Sequence, residues 1–285
     1  MKLQYLGTAA AEGVPSVFCN CAVCQEARIK KGRHIRTRSQ ALIDDTLLVD
    51  FNADTYAHSL RFDIDLSKLE HVIITHAHED HYYPTELFNR QQGFCHGMKN
   101  ETLTVHGSED VENYAHKEWD ALNGNPMRLE NQNRVAFDVM KPYETKEFAG
   151  FRVTALPAVH GTPHPYIYII EKDGKTMLYF NDSGYLKEEA MAFLKEKQIK
   201  FDLVSYDCTW GKDDAGAAAL SSHMGVPNNV EARRRFIENG NYKDTTISII
   251  THFSHNIPHV GYDDMLKVAH DNGFLLSYDG MVVEF

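Results

Sequence analysis

No stretch of this chain approaches the roughly 20 consecutive apolar residues that a membrane-crossing helix needs, so a helical membrane protein is excluded. The first residues, Met1-Lys2-Leu3-Gln4-Tyr5-Leu6-Gly7-Thr8, read as a strand and turn instead of an apolar leader, and the expected location is cytoplasmic. Cysteine is scarce, with five residues at positions 19, 21, 24, 95 and 208. An odd count with three clustered does not make a secreted disulfide framework. Positive charge is short as well: 29 Lys and Arg stand against 40 Asp and Glu, a net charge of −11. That balance disfavours a broad nucleic-acid footprint, although bound cations would turn a local site positive. There is no Pro/Gly/Ser-rich linker, no short repeat and no low-complexity block. The expected organisation is therefore one domain over residues 1–285.

What is present is a 43% hydrophobic chain, enough for a sizeable core, broken into many short β-rich runs. Strands are predicted near Leu3–Leu6, Ser39–Ile43, Thr46–Asp50, His71–Thr75, Leu103–His106, Arg152–Leu156, Tyr166–Glu171, Met177–Phe180, Leu203–Asp207, Ile247–Thr251, Phe274–Tyr278 and Met281–Phe285. Helices are predicted near Pro84–Asn89, Ser108–Leu122, Lys187–Lys197, Val226–Glu238 and Tyr262–Asp271. The economical architecture is two packed sheets with helices on the outer faces.

The densest chemistry follows the apolar run Val72-Ile73-Ile74. In Thr75-His76-Ala77-His78-Glu79-Asp80-His81, four metal-ligand side chains fall within six residues. A loop carrying His-x-His-x-Asp-His supplies donors for two adjacent metal ions, and a metal pair generates hydroxide at neutral pH and stabilises charge on an attacked ester. Imidazole and carboxylate donors suit Zn²⁺, Mn²⁺ or Fe²⁺. Further candidates stand singly at strand ends: His160, Asp182 and His252. Taken alone, each is more readily a structural residue than a ligand. A second cluster, Cys19-Asn20-Cys21-Ala22-Val23-Cys24, offers three thiolates where tetrahedral structural zinc needs four donors. The best fourth donor is His255, three residues beyond His252, with His259 as a rival. Cys95 and Cys208 have no such spacing and read as ordinary buried thiols.

The order Gly7-Thr8-Ala9, Asp50, His76-x-His78-x-Asp80-His81, His160, Asp182, His252 resembles the metallo-β-lactamase superfamily of metal-dependent hydrolases. The resemblance implies an α/β fold, a four-layer αββα sandwich, with a dinuclear centre. It implies that His76, His78 and His160 hold one metal, that Asp80, His81 and His252 hold the other, and that Asp182 bridges. Asp50 would anchor the loop or buttress a ligand. One departure is Pro84, where the family often has Gly three residues after the last His. Proline suits a first helical turn, and the neighbouring Tyr82 is expected to pack.

Gly13-Val14-Pro15 before Cys19-x-Cys21-x-x-Cys24, with Tyr206-Asp207-Cys208, Ser222-His223-Met224 and Tyr278-Asp279-Gly280-Met281, is similar to the PhnP-like branch, the phosphoribosyl 1,2-cyclic phosphate phosphodiesterases. This implies one structural Zn²⁺ on Cys19, Cys21, Cys24 and His255, and two catalytic divalent metals, Zn²⁺ or Mn²⁺. It implies His223 as general acid or phosphate binder beside Asp80 as a catalytic carboxylate, a small phosphate-ester substrate, and a homodimer. A histidine suits protonation of an expelled alkoxide. His164, close behind His160, could also face the cleft. The chain departs from the branch in extra sequence around 91–133 and in Gly211–Ala217, additions that would change the leaving group accepted. Two other readings compete: a tRNA 3′-end-type ribonuclease of the same superfamily, and a non-catalytic accessory protein of cofactor biosynthesis.

Overall fold

The computed structural model describes residues 1–123, 129–256 and 261–285. Two seven-stranded sheets face each other. The first holds β1 (Lys2–Gly7), β2 (Gln40–Ile43), β3 (Leu47–Val49), β4 (His71–Ile73), β5 (Leu103–Gly107), β6 (Val135–Val139) and β14 (Val282–Glu284), in the order β14-β1-β2-β3-β4-β5-β6. The second holds β7 (Thr145–Phe148), β8 (Phe151–Pro157), β9 (Tyr166–Lys172), β10 (Lys175–Phe180), β11 (Phe201–Asp207), β12 (Tyr242–Thr251) and β13 (Leu275–Leu276), in the order β13-β12-β11-β10-β9-β8-β7. The helices are α1 (Ala22–Lys30), α2 (Thr55–Arg61), α3 (Pro84–Leu87), α4 (Glu109–Asn123), α5 (Glu188–Glu196), α6 (Val226–Glu238) and α7 (Tyr262–Asp271).

The strands are apolar almost without break because both of their faces are covered. Along β9, Tyr166, Tyr168 and Ile170 enter the core between the sheets, while Ile167 and Ile169 enter the core beneath α5, α6 and α7. Beneath α3 and α4, Val72, Ile74 and Val105 pack against Leu87, Val111 and Trp119. The layers are thus helix, sheet, sheet, helix: the expected αββα sandwich of the metallo-β-lactamase fold. Among the described residues, no helix is long and apolar enough to cross a membrane.

β6 and β7 were not legible in the sequence. Each is an edge strand of its sheet; β7 carries half-buried Lys146 and exposed Glu147, and β6 carries half-buried Asp138 beside exposed Val139, as edges do. The helix α1 was also hidden, since it starts inside the cysteine cluster without a side-chain cap. Pro84 opens α3 in its first turn. Tyr82 is fully buried in the core under α3 and α4, so it packs, as its sequence setting suggested.

Away from the strand ends that carry the candidate ligands, a chain of polar contacts runs across the first sheet. His71 Nδ1 lies 3.0 Å from His106 Nε2, and His106 Nδ1 lies 3.1 Å from Asp138 Oδ2. The His106 ring stacks on Phe148 at 3.9 Å. Burial pushes His106 down to about 4, against the pull of Asp138. The unfolded state, with an ordinary histidine pKa near 6.5, then binds this proton more tightly. Stability is full above about pH 6.5 and declines as the pH falls towards the folded value. The expected loss from this group between pH 6.5 and 5 is about 1–2 kcal/mol. Urea unfolding at both pH values should show a shallower pH slope for His106→Phe, and an unchanged slope would refute the assignment.

Candidate metal centre

The strands β3, β4, β5 and β6 run parallel to one another, as do β10, β11 and β12. Their carboxyl ends are where ligands gather in open α/β sheets. Here β3 delivers Asp50, β4 delivers the loop His76–His81, β8 delivers His160, β10 delivers Asp182, β11 delivers Asp207 and β12 delivers His252. Asp50, Asp182 and His252 lie in the left-handed region, at φ 65°, 54° and 64°. Each turns the chain sharply just past its strand, a strain of about 1–3 kcal/mol each that surrounding contacts must over-determine. The first loop is tied on both sides: the Thr75 carbonyl accepts from Tyr166 N, and the Tyr82 N–H bonds back to the His78 carbonyl at 2.7 Å.

The side chains form three overlapping four-membered donor sets that all contain Asp182, the third being Asp182, Asp207, His223 and His252. His76, His78, His160 and Asp182 offer ligand atoms all within 4.8 Å of one another, and so do Asp80, His81, Asp182 and His252. In the first set, His78 Nδ1 is 3.0 Å from His76 Nε2 and 3.1 Å from His160 Nε2. Asp182 Oδ2 is 3.1 Å from both His76 Nε2 and His81 Nε2. In the second set, His81 Nε2 is 3.2 Å from His252 Nε2 and 3.3 Å from Asp80 Oδ2. Donors around a tetrahedral zinc stand about 3.3 Å apart, given metal–ligand bonds near 2.0–2.1 Å.

The outer partners fix which nitrogen is free. His81 Nδ1 lies 2.7 Å from Asp50 Oδ2, and Asp50 Oδ1 accepts from the Thr75 N–H and hydroxyl at 2.8 and 2.9 Å. A carboxylate there draws the proton to Nδ1 and leaves the Nε2 lone pair facing Asp80, Asp182 and His252. His252 Nδ1 is likewise held, 2.8 Å from Thr209 Oγ1. Such outer contacts orient metal-binding imidazoles.

Electrostatics demand positive charge at this place. Burial alone would raise Asp80 and Asp182, but the surrounding imidazoles outweigh it and hold both carboxyls below the ordinary range. Burial pushes His76 down to about 3. Asp50, Asp182 and Asp207 are buried and Asp80 nearly so, yet among the described residues no lysine or arginine pairs with any of them. His160 Nδ1 and Asp182 Oδ1 are buried 3.3 Å apart with no well-aligned hydrogen bond. Uncompensated buried carboxylates are costly, and these donors fit a pair of divalent cations.

His223, just before α6, joins the same cluster. Its Nδ1 is 2.9 Å from Asp182 Oδ1 and 3.2 Å from Asp207 Oδ2. Burial opposes its charge, but Asp207 and Asp182 outweigh that and raise it to about 11. Asp207 and Thr209 escaped the sequence reading as site residues. Asp207 Oδ1 accepts from Met224 N at 2.8 Å, and Thr209 donates to Asp207 Oδ2 at 3.0 Å. The available signal was an acidic strand end like that of Asp50, but no short motif links Asp207 to His223.

These groups open on a cleft of about 570 Å³, also lined by Ala10, Ala11, Glu12, Trp210, Asp213 and Asn256. No described residue of the 91–133 region lines it, whereas Trp210 and Asp213 do. The expectation of added loops at the cleft therefore holds for 211–217, through Asp213, and is not met by the described residues of 91–133. His164 is exposed and pairs with Asp110 at 2.6 Å instead of facing the cleft.

Cys19, Cys21, Cys24 and His255 also come together, with ligand atoms within 4.8 Å of one another. Cys21 Sγ is 3.7 Å from His255 Nδ1. Burial raises the Cys21 thiol, but hydrogen bonds from Cys24 and His255 outweigh it and bring it down to about 6. Four N/S donors in this arrangement fit a closed zinc site. His259, the rival donor, lies outside the described residues. Replacing Cys24 with Ser should remove about one zinc per chain and lower the thermal midpoint, read by elemental analysis and calorimetry; full zinc retention would refute the site.

The model of the beta-lactamase superfamily domain matches residues 46–253. Ribonuclease Z from Listeria monocytogenes is 28% identical over 176 residues, 61% of this chain and 50% of that protein. A metal-dependent hydrolase of Staphylococcus saprophyticus is 28% identical over 167 residues, 56% of this chain and 66% of that protein. The chain thus spans about half the length of the ribonuclease Z relatives it matches. Among solved structures, a diphosphatase from the PhnP family superposes with a TM-score of 0.74 at 21% identity, covering 100% of this chain and 97% of that one. Zn²⁺-bound PqqB from Methylobacterium extorquens superposes at 0.71 with 18% identity and 100% of both chains covered. With the family model matched across most of its length and the αββα fold in place, the chain belongs to the beta-lactamase superfamily.

Proposed function

We propose that this protein is a dinuclear-metal phosphodiesterase that hydrolyses a small, cyclic phosphate diester. The observation that carries the reading is Asp182, shared between two histidine-rich donor sets that open on one cleft beside His223. His76, His78 and His160 hold one cation, Asp80, His81 and His252 hold the other, and Asp182 serves both. Cys19, Cys21, Cys24 and His255 hold a structural zinc. Both sheets supply ligands, so residues 1–285 act as one catalytic unit. Two divalent cations, zinc or manganese, supply Lewis acidity towards the phosphoryl oxygens and a water acidic enough to lose its proton near neutral pH.

The chain's own groups do the rest. Asp80, the least buried carboxylate of the set, faces the cleft and orients the attacking water. His223 faces the leaving oxygen and gives it a proton. Asp207 and Thr209 hold the His223 ring in register.

A second reading, a tRNA 3′-end ribonuclease, is favoured by the sequence relatives. The cleft speaks against it: Glu12 and Asp213 line it, and no lysine or arginine does among the described residues. A polyanion needs several such contacts.

The test supplies purified protein with Zn²⁺ or Mn²⁺ and measures bound metal beside turnover. The substrates are bis(p-nitrophenyl) phosphate, a ribose 1,2-cyclic phosphate and a precursor tRNA, with Asp80→Ala as control. Diester turnover lost in the control supports the proposal. Cleavage of the tRNA alone would favour the ribonuclease. Bound metal with no turnover on any of them would favour a non-catalytic accessory protein.

A further inference from the structure

The cleft contains one large aromatic side chain that no metal-binding or proton-transfer role uses. Trp210 lines it directly after Thr209, the residue that touches both His223 and His252. The other tryptophan, Trp119, is buried on the far side of the first sheet with its indole N–H bonded to the Pro84 carbonyl. Trp210 is partly exposed, stacks on no ring of the protein among the described contacts, and has no hydrogen bond from its indole N–H among them. A large amphipathic ring left without partners at the mouth of a polar cleft has its apolar face available to a ligand.

Its backbone is rigidly placed. The Trp210 N–H bonds to the Met224 carbonyl at 3.0 Å, and its own carbonyl accepts from Asp213 N at 3.1 Å. The next residue, Gly211, has φ 54° and accepts from Val226 N at 2.8 Å. Gly225 lies so close beneath this loop that a Cβ would sit 1.9 Å from the Asp213 carbonyl. The loop is therefore clamped between the end of β11 and the start of α6, and the platform is preformed.

We infer that Trp210 is a specificity-determining residue that stacks a flat aromatic ring carried by the substrate, selecting phosphate esters of nucleoside type over sugar phosphates without a base. The inference rests on the phosphodiesterase reading and deepens it. Position sets the geometry: Trp210 follows Thr209, which touches His223, and its N–H bonds to the carbonyl of Met224, the neighbour of His223, so the base stacks at the His223 end of the cleft. Charge sets the size: Glu12 and Asp213 line the same cleft as Trp210, which disfavours a chain of further phosphates. One base on one phosphodiester satisfies both conditions. Stacking of a base on an aromatic side chain is sequence-tolerant, so the residue selects for a base more than among bases.

Two measurements on the metal-loaded protein test this. Intrinsic fluorescence is titrated with adenosine 5′-monophosphate and, separately, ribose 5-phosphate, in wild type, Trp210→Phe and Trp210→Ala. Kinetics compare 2′,3′-cyclic AMP with ribose 1,2-cyclic phosphate. The expected result is quenching by the nucleotide and not by the sugar phosphate, lost in both variants. KM for the cyclic nucleotide should rise about tenfold in Trp210→Ala and recover largely in Trp210→Phe, with kcat and the base-free substrate little changed. Equal losses on both substrates, or no nucleotide-specific quenching, would overturn it. If neither ester is hydrolysed, nucleotide-specific quenching that needs Trp210 still upholds the platform, while the phosphodiesterase reading fails. Circular dichroism confirms that the variants are folded.

Discussion

Asp182→Asn is expected to abolish turnover of bis(p-nitrophenyl) phosphate, by about three orders of magnitude or more, and to lower bound metal at the centre. The Asp182 carboxylate contacts four imidazoles: His76, His81 and His223 within 3.1 Å and His160 at 3.3 Å. It is the one residue common to all three four-membered donor sets of the centre. An amide has nearly the same shape, so the substitution removes a charge and an acceptor without opening a cavity. Two cations held close together lose the anion that offsets their mutual repulsion. Lewis-acid stabilisation of transition-state charge is worth several kcal/mol, and about 4 kcal/mol corresponds to the expected thousandfold. Elemental analysis after gel filtration separates the outcomes. Lost metal with lost turnover supports the shared-ligand assignment. Full metal content with wild-type turnover would remove Asp182 from the mechanism.

The first sheet's ligands were legible because they are local. His76, His78, Asp80 and His81 share one loop, and a loop of that composition says what it is for. The remaining donors gain meaning only from order along the chain, because His160, Asp182 and His252 each stand alone at a strand end. The fold explains why that order works: parallel strands put successive carboxyl ends on one edge, so residues far apart in sequence meet there. Asp207 shows the limit. It contacts His223 from 16 residues away, across a loop and a short turn of helix, and nothing local announces the pair. The edge strands β6 and β7 were missed for a different reason. β7 carries Lys146 and Glu147 where the centre of β9 reads Tyr166-Ile167-Tyr168-Ile169-Ile170, and β6 breaks a five-residue run with Asp138. The 91–133 segment looked like an addition to the cleft because length alone does not say where a loop packs. Its Lys99 and Asn100 N–H groups bond to the Ser67 carbonyl, on the outer flank of the first sheet.

The role given to His223 makes the sharpest kinetic prediction, because proton donation and phosphate binding differ in how they depend on the leaving group. A p-nitrophenolate leaves readily as an anion and gains little from a proton. A sugar alkoxide leaves poorly and gains much. If His223 is the donor, His223→Gln should slow ribose 1,2-cyclic phosphate by about 10²–10⁴-fold, the usual range for a positioned acid. Bis(p-nitrophenyl) phosphate should fall far less. If His223 only holds the phosphoryl group, both substrates should fall by a similar factor, mainly through KM. Glutamine keeps a hydrogen-bonding side chain facing Asp207 but cannot deliver a proton, so the contrast between substrates isolates the proton. Asp207→Asn provides the companion result. Asp207 does not itself line the cleft but touches His223 and His252, which do, so it acts through an imidazole. Its loss should reproduce the leaving-group contrast in weaker form, about 10–100-fold on the cyclic sugar, in the range found when a buttressing partner of an active-site histidine is removed. An Asp207→Asn variant that slows both substrates alike would instead assign the carboxylate to His252, whose Nδ1 lies 3.3 Å away, and hence to the metal centre. The two variants, run on the two substrates, therefore tell which of its histidines this buried aspartate serves.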